Sequence, residues 1–290
     1  MAKSRKSWFE RETPEKITLD WTKINCKITE RERELLDIIN KRKMVRRDML
    51  EIISPSYRHL GNNRTRLMNR SVKKLYSNFC IDKIHEIQEF PKGNTPAILS
   101  LDRAGSIILG IPHKRRIKQN TNIKNGKKYV QRRLPSNYRH INGINQLEVD
   151  TILFCEENTT EIIQWVHEKP QKLVYGQENV IVIPDIVLEL KFNTEQSRAF
   201  YAFIEFDTAS ENRGYKEPPI IRDKVIKYKK YKLSRLWENE YDSFPMLLLV
   251  TEEEKRTAFF NKICKDNGMV GLGVYFENYK KLLERLSEMI

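Results

Sequence analysis

Cysteine is scarce in this chain of 290 residues, which contains only four. They lie far apart, so no pair has the short spacing of a zinc knuckle, and their number is too low for a disulfide framework. Neither a zinc knuckle nor a disulfide framework is therefore indicated. We expect buried or free thiols at Cys26, Cys80, Cys155 and Cys264.

Long apolar runs are also missing, since no stretch reaches the length that crosses a bilayer. The first residues, MAKSRKSWFERE, begin with basic residues but are not followed by the apolar segment of a signal peptide. The sequence therefore predicts a cytoplasmic protein without a membrane partner.

Two catalytic signatures are absent. The 11 glycines form no phosphate-binding loop ahead of a Lys-Ser or Lys-Thr pair, which argues against a nucleotide-driven motor. None of the 12 tyrosines accompanies a His-x-His metal cluster, which disfavours a histidine-dependent relaxase of the rolling-circle type.

Acidic residues are missing from one long stretch. Residues 113–139 contain no Asp or Glu, although they carry many Lys and Arg. The net charge of +14 is concentrated around this stretch: residues 1–145 have 33 Lys and Arg against 14 Asp and Glu, whereas residues 146–290 have 20 against 25. A localised basic surface attracts a polyanion, so we expect the first half to bind nucleic acid through its phosphate backbone.

The first half also has the pattern of a small helical domain. Thr29 followed by Glu32 is a capping box, and the apolar residues after it predict a helix that ends near Lys41. A second helix is predicted over 47–53, a loop over 54–63 and a third helix over 63–79. The strand-like segments IDKIHEI and AILSL follow, and Asp102 is placed to cap a short helix. This order is typical of a winged helix.

The third helix has two distinct faces at about 100° per residue. One face is apolar, with Met68, Val72, Leu75 and Phe79, and the opposite face is basic. We interpret it as a recognition helix, because one face can pack while the other meets phosphates or base edges. The predicted DNA-binding residues are Arg64, Arg66, Arg70, Lys73, Lys74, Lys114, Arg115, Arg116, Lys127, Lys128, Arg132 and Arg133.

The second half alternates strands and helices, which predicts an α/β domain and an α+β fold overall. Strands are predicted over 162–167, 180–190, 199–208, 244–251 and 270–276. Helices are predicted over 144–154, 222–238, 253–266 and from about 278 to the end.

Two acidic residues of this domain, Asp185 and Glu205, fall within apolar segments predicted as strands. An unpaired carboxylate is costly to bury there, so these acids are candidates for a functional site. Strand alternation places Glu205 and Asp207 on the same face. Three carboxylates together suit a hard divalent cation, so the sequence predicts that Asp185, Glu205 and Asp207 bind Mg²⁺ or Mn²⁺.

The Pro-Asp of this segment, a hairpin and a second acid resemble the core of PD-(D/E)XK nucleases. In that superfamily a lysine usually stands two residues after the second acid, where this chain has Asp207. A replacement is offered by the next helix, where Lys224, Lys227, Tyr228 and Tyr231 recur at helical spacing. The resemblance implies metal-dependent DNA cleavage, for which we assign Asp185, Glu205, Asp207 and Lys224 as candidate catalytic residues, with Lys224 in place of the missing lysine. It equally allows a degenerate nuclease fold kept as a scaffold.

Four segments in order resemble the replication-relaxation family of plasmids and mobile elements of Gram-positive bacteria. They are AILSLDRAGSIIL, YRHINGINQLEV, IPDIVLEL and FIEFDTAS followed by the helix of Lys224, and the resemblance covers roughly residues 29–269. It implies a role in DNA replication and relaxation. Within the second segment, His140 is either a site residue or structural, and Glu148 is either a helix-borne acid of the site or, as we favour, a solvated residue.

The sequence thus predicts an N-terminal winged helix followed by a restriction-endonuclease-like α/β domain. The expected parts are an N-terminal extension (1–28), the winged helix (29–112), a basic linker (113–139) and the nuclease-like domain (140–290). The leading hypothesis is a mobile-element protein that binds double-stranded DNA and cleaves or nicks it.

The main alternative is a non-enzymatic replication initiator or transcription regulator. A third is a transposon-end nuclease that works with recombinase subunits. Whether the chain forms a homodimer or binds other replication or mobilisation proteins stays open.

Overall fold

The structure is a computed structural model that describes residues 16–85, 95–124, 127–175, 178–192, 199–209 and 219–289. The chain divides into two compact units, unit 1 (Met1–Tyr138) and unit 2 (Arg139–Ile290). None of the helices in these described ranges is both long and apolar enough to cross a membrane.

Unit 1 is mainly helical, with short strands between its helices. Its described elements are α1 (Leu19–Asn25), α2 (Glu30–Arg42), β1 (Met44–Arg46), α3 (Arg47–Ile53), α4 (Pro55–Arg58), α5 (Arg64–Ser77), β2 (Ile81–Ile84), β3 (Ile98–Leu101), α6 (Arg103–Leu109), β4 (Lys118–Lys124) and β5 (Lys127–Arg133).

The helix starts follow the capping signals of the sequence. Thr29 and Glu32 form the predicted capping box of α2, and Asp102 caps α6 by accepting a hydrogen bond from the backbone N–H of Arg103. The helix α5 buries Met68, Val72 and Leu75 as expected.

Phe79 lies beyond the end of α5, because the helix stops at Ser77. Its φ is 55°, which is left-handed, and its backbone N–H donates to the carbonyl of Tyr76. The ring is buried all the same. The apolar face was therefore predicted correctly although the helix is shorter than predicted.

The loop predicted over 54–63 is wrong in part, because α4 and a 3-10 turn at Gly61–Asn63 lie within it. Pro55 stands at the first position of α4, where a fixed φ and a missing N–H cost nothing. The Glu34 carboxylate accepts hydrogen bonds from the hydroxyl groups of Ser54 and Ser56 and from the backbone N–H of Ser56. These contacts hold the start of α4.

A three-stranded antiparallel sheet completes the helical part of unit 1, in the order β1-β3-β2. The strand β1, which the sequence analysis missed, pairs Val45 with Leu99 of β3. The residues between β2 and β3 that the sequence suggests as a wing include 86–94, which lie outside the described residues. The winged helix stays a prediction.

The segment predicted as a basic linker contains a β-hairpin, in which β4 and β5 pair from Lys118↔Arg133 to Lys124↔Lys127. Arg132 attaches it to β2, because its Nη1 donates to Oδ1 of Asp82 at 2.9 Å and to the carbonyl of Lys83 at 2.8 Å. The segment therefore has regular structure and an anchor on unit 1.

Unit 2 is an α/β domain. Its described elements are α7 (Tyr138–Glu157), β6 (Thr160–His167), β7 (Gln171–Tyr175), β8 (Glu178–Val182), β9 (Ile186–Phe192), β10 (Ala199–Asp207), α8 (Pro219–Ser234), β11 (Met246–Thr251), α9 (Glu254–Asp266), β12 (Gly271–Tyr275) and α10 (Tyr279–Met289). The mixed α/β fold class is confirmed.

The central sheet has the order β12-β11-β10-β9-β6 and is covered on both faces. β10, β11 and β12 are parallel, while β9 is antiparallel to β10 and β6. One face packs on α7 and α10, through residues such as Leu147 and Leu283, and the other packs on α8 and α9, through residues such as Val225 and Ile263. Both faces are buried, which is why the central strands read as apolar runs.

The single strand predicted over 180–190 is wrong. The chain forms two strands there: β8 pairs with β7, a strand that the sequence analysis missed, and β9 joins the central sheet. Pro184 stands between them and lacks a backbone N–H, so it cannot donate to a sheet. Asp185 consequently lies in a bend rather than inside a strand.

Two helices of unit 2 differ from their predicted bounds. α7 begins at Tyr138 rather than near residue 144, so His140 lies in its first turn. α8 was predicted to reach residue 238 but ends at Ser234, because Arg235 has a φ of 60° and a 3-10 turn follows at Leu236–Asn239.

Candidate functional site

Asp185 is held at the start of β9, an interior strand of the central sheet. Its Oδ2 accepts a hydrogen bond from the backbone N–H of Phe206 at 2.8 Å, and its Oδ1 lies 3.3 Å from Nε2 of His140. Because Ile186 pairs with Ile204, the start of β9 lies beside the end of β10. This register brings Asp185 next to Glu205.

Glu205 faces α8 and is almost completely buried, with its side chain 8% exposed. Its Oε1 accepts a hydrogen bond from the Tyr228 hydroxyl at 2.6 Å, and its Oε2 contacts Nζ of Lys224. The Lys224 side chain remains 42% exposed. The structure thus joins Lys224 to Glu205 and leaves part of the lysine accessible from solvent.

The face of α8 that the sequence analysis identified is narrower than predicted. Tyr228 and Tyr231 are buried against the sheet and Lys224 reaches Glu205, whereas Lys227 is exposed. Lys227 therefore does not belong to the face that meets the candidate site.

Burial dominates the protonation of the Glu205 group. Desolvation raises the pKa of Glu205 to about 7, although the charge of Lys224 opposes this shift. For Lys224, burial lowers the pKa, but the charges of Glu205 and Asp185 outweigh it and raise the pKa overall. Burial also raises the pKa of Tyr228 well above its usual value, so this hydroxyl stays protonated and donates to Glu205.

The two groups of the Asp185–His140 pair stabilise each other's charged form. Burial raises the pKa of Asp185, but the hydrogen bond from His140 and the charge of Lys224 hold it below its ordinary value. Burial lowers the pKa of His140, yet the hydrogen bond to Asp185 and its charge raise it above the ordinary value. An ionised carboxylate is thus kept at the start of β9.

Gly143 allows α7 to approach β10 closely. A Cβ atom at this position would lie 2.1 Å from the Phe206 ring, much closer than any real carbon contact. His140 lies one turn earlier on the same helix, with its ring centroid 5.8 Å from that of Phe206. The glycine therefore sets the distance at which His140 meets Asp185.

Asp207 is bound by partners other than those of Asp185 and Glu205. Its carboxylate accepts hydrogen bonds from Nη1 of Arg256 at 2.8 and 3.0 Å and from the Thr251 hydroxyl at 3.1 Å. The Arg256 side chain is only 3% exposed. Alternation along β10 does place Asp207 on the same face as Glu205, but a buried arginine of α9 binds its carboxylate.

The donors at the site fit a divalent cation in part. The carboxylates of Asp185 and Glu205 are hard ligands that suit Mg²⁺ or Mn²⁺, and they lie close together. Among the described residues, however, no group of three His, Cys, Asp or Glu is arranged to hold a metal ion. A cation at Asp185 and Glu205 would have to displace the contact between Glu205 and Lys224.

A second His–carboxylate pair lies on the α7 side of the sheet. Nε2 of His167 is 3.7 Å from Oε2 of Glu148 and accepts a hydrogen bond from the Trp165 indole at 3.3 Å. Glu148 is 4% exposed, so the expectation of a solvated residue is wrong. His167 pairs with Ile186, the residue after Asp185, which places this pair beside the candidate site.

The basic face of α5 in unit 1 is open to solvent at three positions. Arg66, Arg70 and Lys73 are exposed, opposite the buried face of the helix. Lys74 instead binds Glu32, with 2.7 Å between Nζ and Oε2, and Nε of Arg64 lies 3.9 Å from Oε1 of Glu51. Of these five basic residues of α5, only Arg66, Arg70 and Lys73 are exposed.

The basic residues after α6 fall into three groups. Lys114, Arg115 and Arg133 are exposed and Arg116 is half-buried. Arg132 makes the contacts with β2 described above. The side chains of Lys127 and Lys128 lie outside the described part of the chain. All four cysteines are free and buried, as expected.

Sequence reasoning missed the residues that hold the candidate site in place. Tyr228 had been noted only for its spacing, and Arg256 and Gly143 had not been noted. The signal for Gly143 is a glycine inside an apolar helical pattern, which often marks close packing. No local signal identifies Arg256, because its partner Asp207 is 49 residues away in the sequence.

Comparison with known proteins gives one family. A family model described as replication-relaxation matches residues 35–247. No curated protein sequence matches the chain.

Among solved structures, restriction endonuclease FokI is similar with a TM-score of 0.28 and 13% identity, over 89% of this chain and 44% of that enzyme. The same endonuclease bound to DNA is similar with a TM-score of 0.27 and 11% identity, over 89% of this chain and 45% of that one. The chain thus spans less than half the length of FokI.

Proposed function

Since the chain belongs to the replication-relaxation family, we propose that it is a DNA-processing protein of a plasmid or mobile element. In this proposal unit 1 binds double-stranded DNA as a winged helix. Unit 2 then nicks or cleaves a phosphodiester with the help of Mg²⁺ or Mn²⁺. The observation that carries the proposal is the convergence of Asp185, Glu205 and Lys224 where β9 begins and β10 ends.

The charges of unit 1 support DNA as the ligand. Arg66, Arg70 and Lys73 form an exposed cationic face on α5, and residues 113–139 carry no acid. Lys and Arg that neutralise phosphates release condensed counterions, so such a face binds duplex DNA without needing a sequence signal. The arrangement of α2, α3, α5 and the β1-β3-β2 sheet supports the winged helix.

The groups of unit 2 support hydrolysis of a phosphodiester. Asp185, kept ionised, and Glu205 would hold the cation, which supplies Lewis-acid activation of the phosphate and of a bound water. Lys224 is a cation beside these acids, so its ammonium can stabilise charge that develops on the phosphate. His140 fixes the orientation of Asp185, and Tyr228 fixes that of Glu205.

A specific observation favours the non-enzymatic alternative. Each carboxylate oxygen of Asp185 and Glu205 already has a protein partner, and Asp207 is bound by Arg256. A fully paired set of charges can serve as a scaffold. In that case the protein marks or bends DNA as an initiator or regulator and cuts nothing.

Nicking of supercoiled plasmid separates the two functions. With Mg²⁺ or Mn²⁺, the wild type is expected to nick plasmid, whereas Asp185→Ala is expected to lose at least about a hundredfold in rate, because one removed charge-stabilising group typically costs that much. A matched control is Asp242→Ala, since Asp242 is an exposed acid of unit 2 whose carboxylate meets only the Tyr201 hydroxyl among the hydrogen bonds described, at 3.4 Å.

Calorimetry with Mn²⁺ provides the second readout. Binding to the wild type that disappears in Asp185→Asn supports a metal site. Absence of both metal binding and cleavage, on supercoiled, linear and single-stranded DNA, rejects the enzyme and leaves the non-enzymatic binder.

A further inference from the structure

Three lysines of α8 form a ridge that begins at the candidate site. Lys224, Lys227 and Lys230 are three residues apart, and side chains at this spacing on a helix are neighbours, with Cβ atoms about 5–6 Å apart. Lys224 contacts Glu205, Lys227 is exposed and Lys230 is half-buried. The ridge therefore begins at the buried acids and is open to solvent at Lys227.

Positive charge is concentrated on α8 although the second half of the chain is acidic. The 16 residues of α8 include six Lys and Arg and one acid, Asp223, whereas residues 146–290 have 20 Lys and Arg against 25 Asp and Glu. A local excess of this kind produces a positive potential that the net charge of the unit conceals.

The remaining lysines of α8 have a different position. Lys229 reaches Oδ1 of Asn267 at 3.5 Å and Lys232 reaches the carbonyl of Gly268 at 3.2 Å, so both lie against the end of α9. These cations cap a helix end, which favours positive charge. The ridge is on another side of α8 and faces solvent at Lys227.

We propose that Lys224, Lys227 and Lys230 bind successive phosphates of one DNA strand and lead that strand to Asp185 and Glu205. This inference rests on the proposed function and gives unit 2 a DNA-binding surface of its own. An array of point charges suits a repeating phosphate backbone, and it needs no base contact. The lysine that ends the array at the acids is the one proposed to assist cleavage.

The test is the salt dependence of duplex binding by the full chain. With a 30-base-pair duplex of arbitrary sequence as probe, we expect Lys227→Ala with Lys230→Ala to reduce the slope of log Kobs against log salt by roughly 1.8. Each phosphate contact contributes about 0.9 to this slope. The matched control is Lys262→Ala with Lys265→Ala, two exposed lysines at the same spacing on α9.

The outcomes distinguish the ridge from the proposed function. A reduced slope in the α8 variant alone, with unchanged thermal unfolding, supports the ridge even if no cleavage is seen. Equal slopes in wild type, α8 variant and control overturn the ridge while leaving DNA binding by unit 1 intact. Equal losses in both variants overturn it as well, since the effect is then one of general charge. If duplex binding by the wild type does not depend on salt, both the ridge and the proposed DNA binding by unit 1 are rejected.

Discussion

At the scale of single residues, the candidate site was predictable where one helix or strand carries the information. Helical spacing led to Lys224 as the replacement for a missing lysine, and the structure places it on Glu205. Alternation put Asp207 on the correct face of β10. It could not reveal that Arg256, which comes from a later helix, binds that carboxylate, because such a contact depends on the packing of α9.

The pKa of Glu205 leads to a prediction about stability. It is raised from 4.5 to about 7 in the folded protein, so between these values the folded state holds a proton that the unfolded state has lost. The contribution of Glu205 is therefore fully present below pH 4.5 and is lost as the pH rises through about 7. We expect the free energy of unfolding of the metal-free protein to fall more steeply from pH 5 to 7 in the wild type than in Glu205→Gln.

The free energy of unfolding should fall with pH more steeply in the wild type than in Glu205→Gln by at most about 1.4 kcal/mol per pH unit, the value for one proton. Urea denaturation at pH 5, 6 and 7 measures it, and Glu284→Gln, an exposed acid of α10, should keep the wild-type slope. Parallel pH profiles for wild type and Glu205→Gln contradict the raised pKa.

At the scale of elements, most helices and strands followed from their apolar patterns, and the errors have physical causes. The run 180–190 reads as one strand because both faces of β8 and β9 carry apolar residues, while Pro184 and the pairing partner of β8 divide it. The partner, β7, has no strong strand pattern by itself. The start of α7 was placed too late because most residues ahead of Ile144, among them His140 and Gly143, are polar or glycine.

Gly143→Ala tests the packing of α7 on β10. A glycine replaced by alanine inside a helix usually gains about 0.5–1 kcal/mol of stability. Here the added Cβ would collide with the Phe206 ring, so we expect a loss of about 1–3 kcal/mol, typical of an overpacked core, together with a weaker His140–Asp185 contact. Urea unfolding measures the stability, and the His140 titration followed by NMR reports the contact.

A compensating substitution at Phe206 tests whether the collision is the cause. Gly143→Ala combined with Phe206→Leu should regain part of the stability, since the smaller side chain makes room for the Cβ. A Gly143→Ala protein as stable as the wild type, with the same His140 titration, contradicts the proposed positioning by Gly143.

At the scale of the whole molecule, the sequence alone shows that the first half of the chain is basic and the second half acidic. In the structure, these halves correspond closely to the two compact units. The division falls at Tyr138, close to the end of the acid-free stretch. The β4–β5 hairpin within that stretch was not predictable, because its strands are polar and lack the alternation of a buried face. Charge indicates a ligand, but it does not determine backbone pairing.

Charge reversal on α5 tests whether unit 1 provides the main DNA contact. Arg66→Glu with Arg70→Glu replaces two exposed cations with anions, and we expect duplex binding to disappear at about 0.15 M salt, where long-range attraction is screened. A gel-shift titration at several salt concentrations measures it.

Lys23→Glu with Lys27→Glu is the control for net charge, because both lysines are exposed in unit 1 outside α5. It changes the total charge by the same amount. If both reversals weaken binding equally, α5 is not a recognition surface and the attraction is spread over the unit.

The attachment of the β4–β5 hairpin by Arg132 has a consequence for the entropy of association. A flexible basic arm loses conformational entropy when it binds a polyanion, and this loss offsets part of the electrostatic attraction. The hairpin has already given up much of that entropy during folding, since its strands are paired with each other and one of its arginines is bound to β2. If the hairpin contacts DNA as proposed, its backbone is preorganised for that contact by strand pairing and by the attachment of Arg132 to β2.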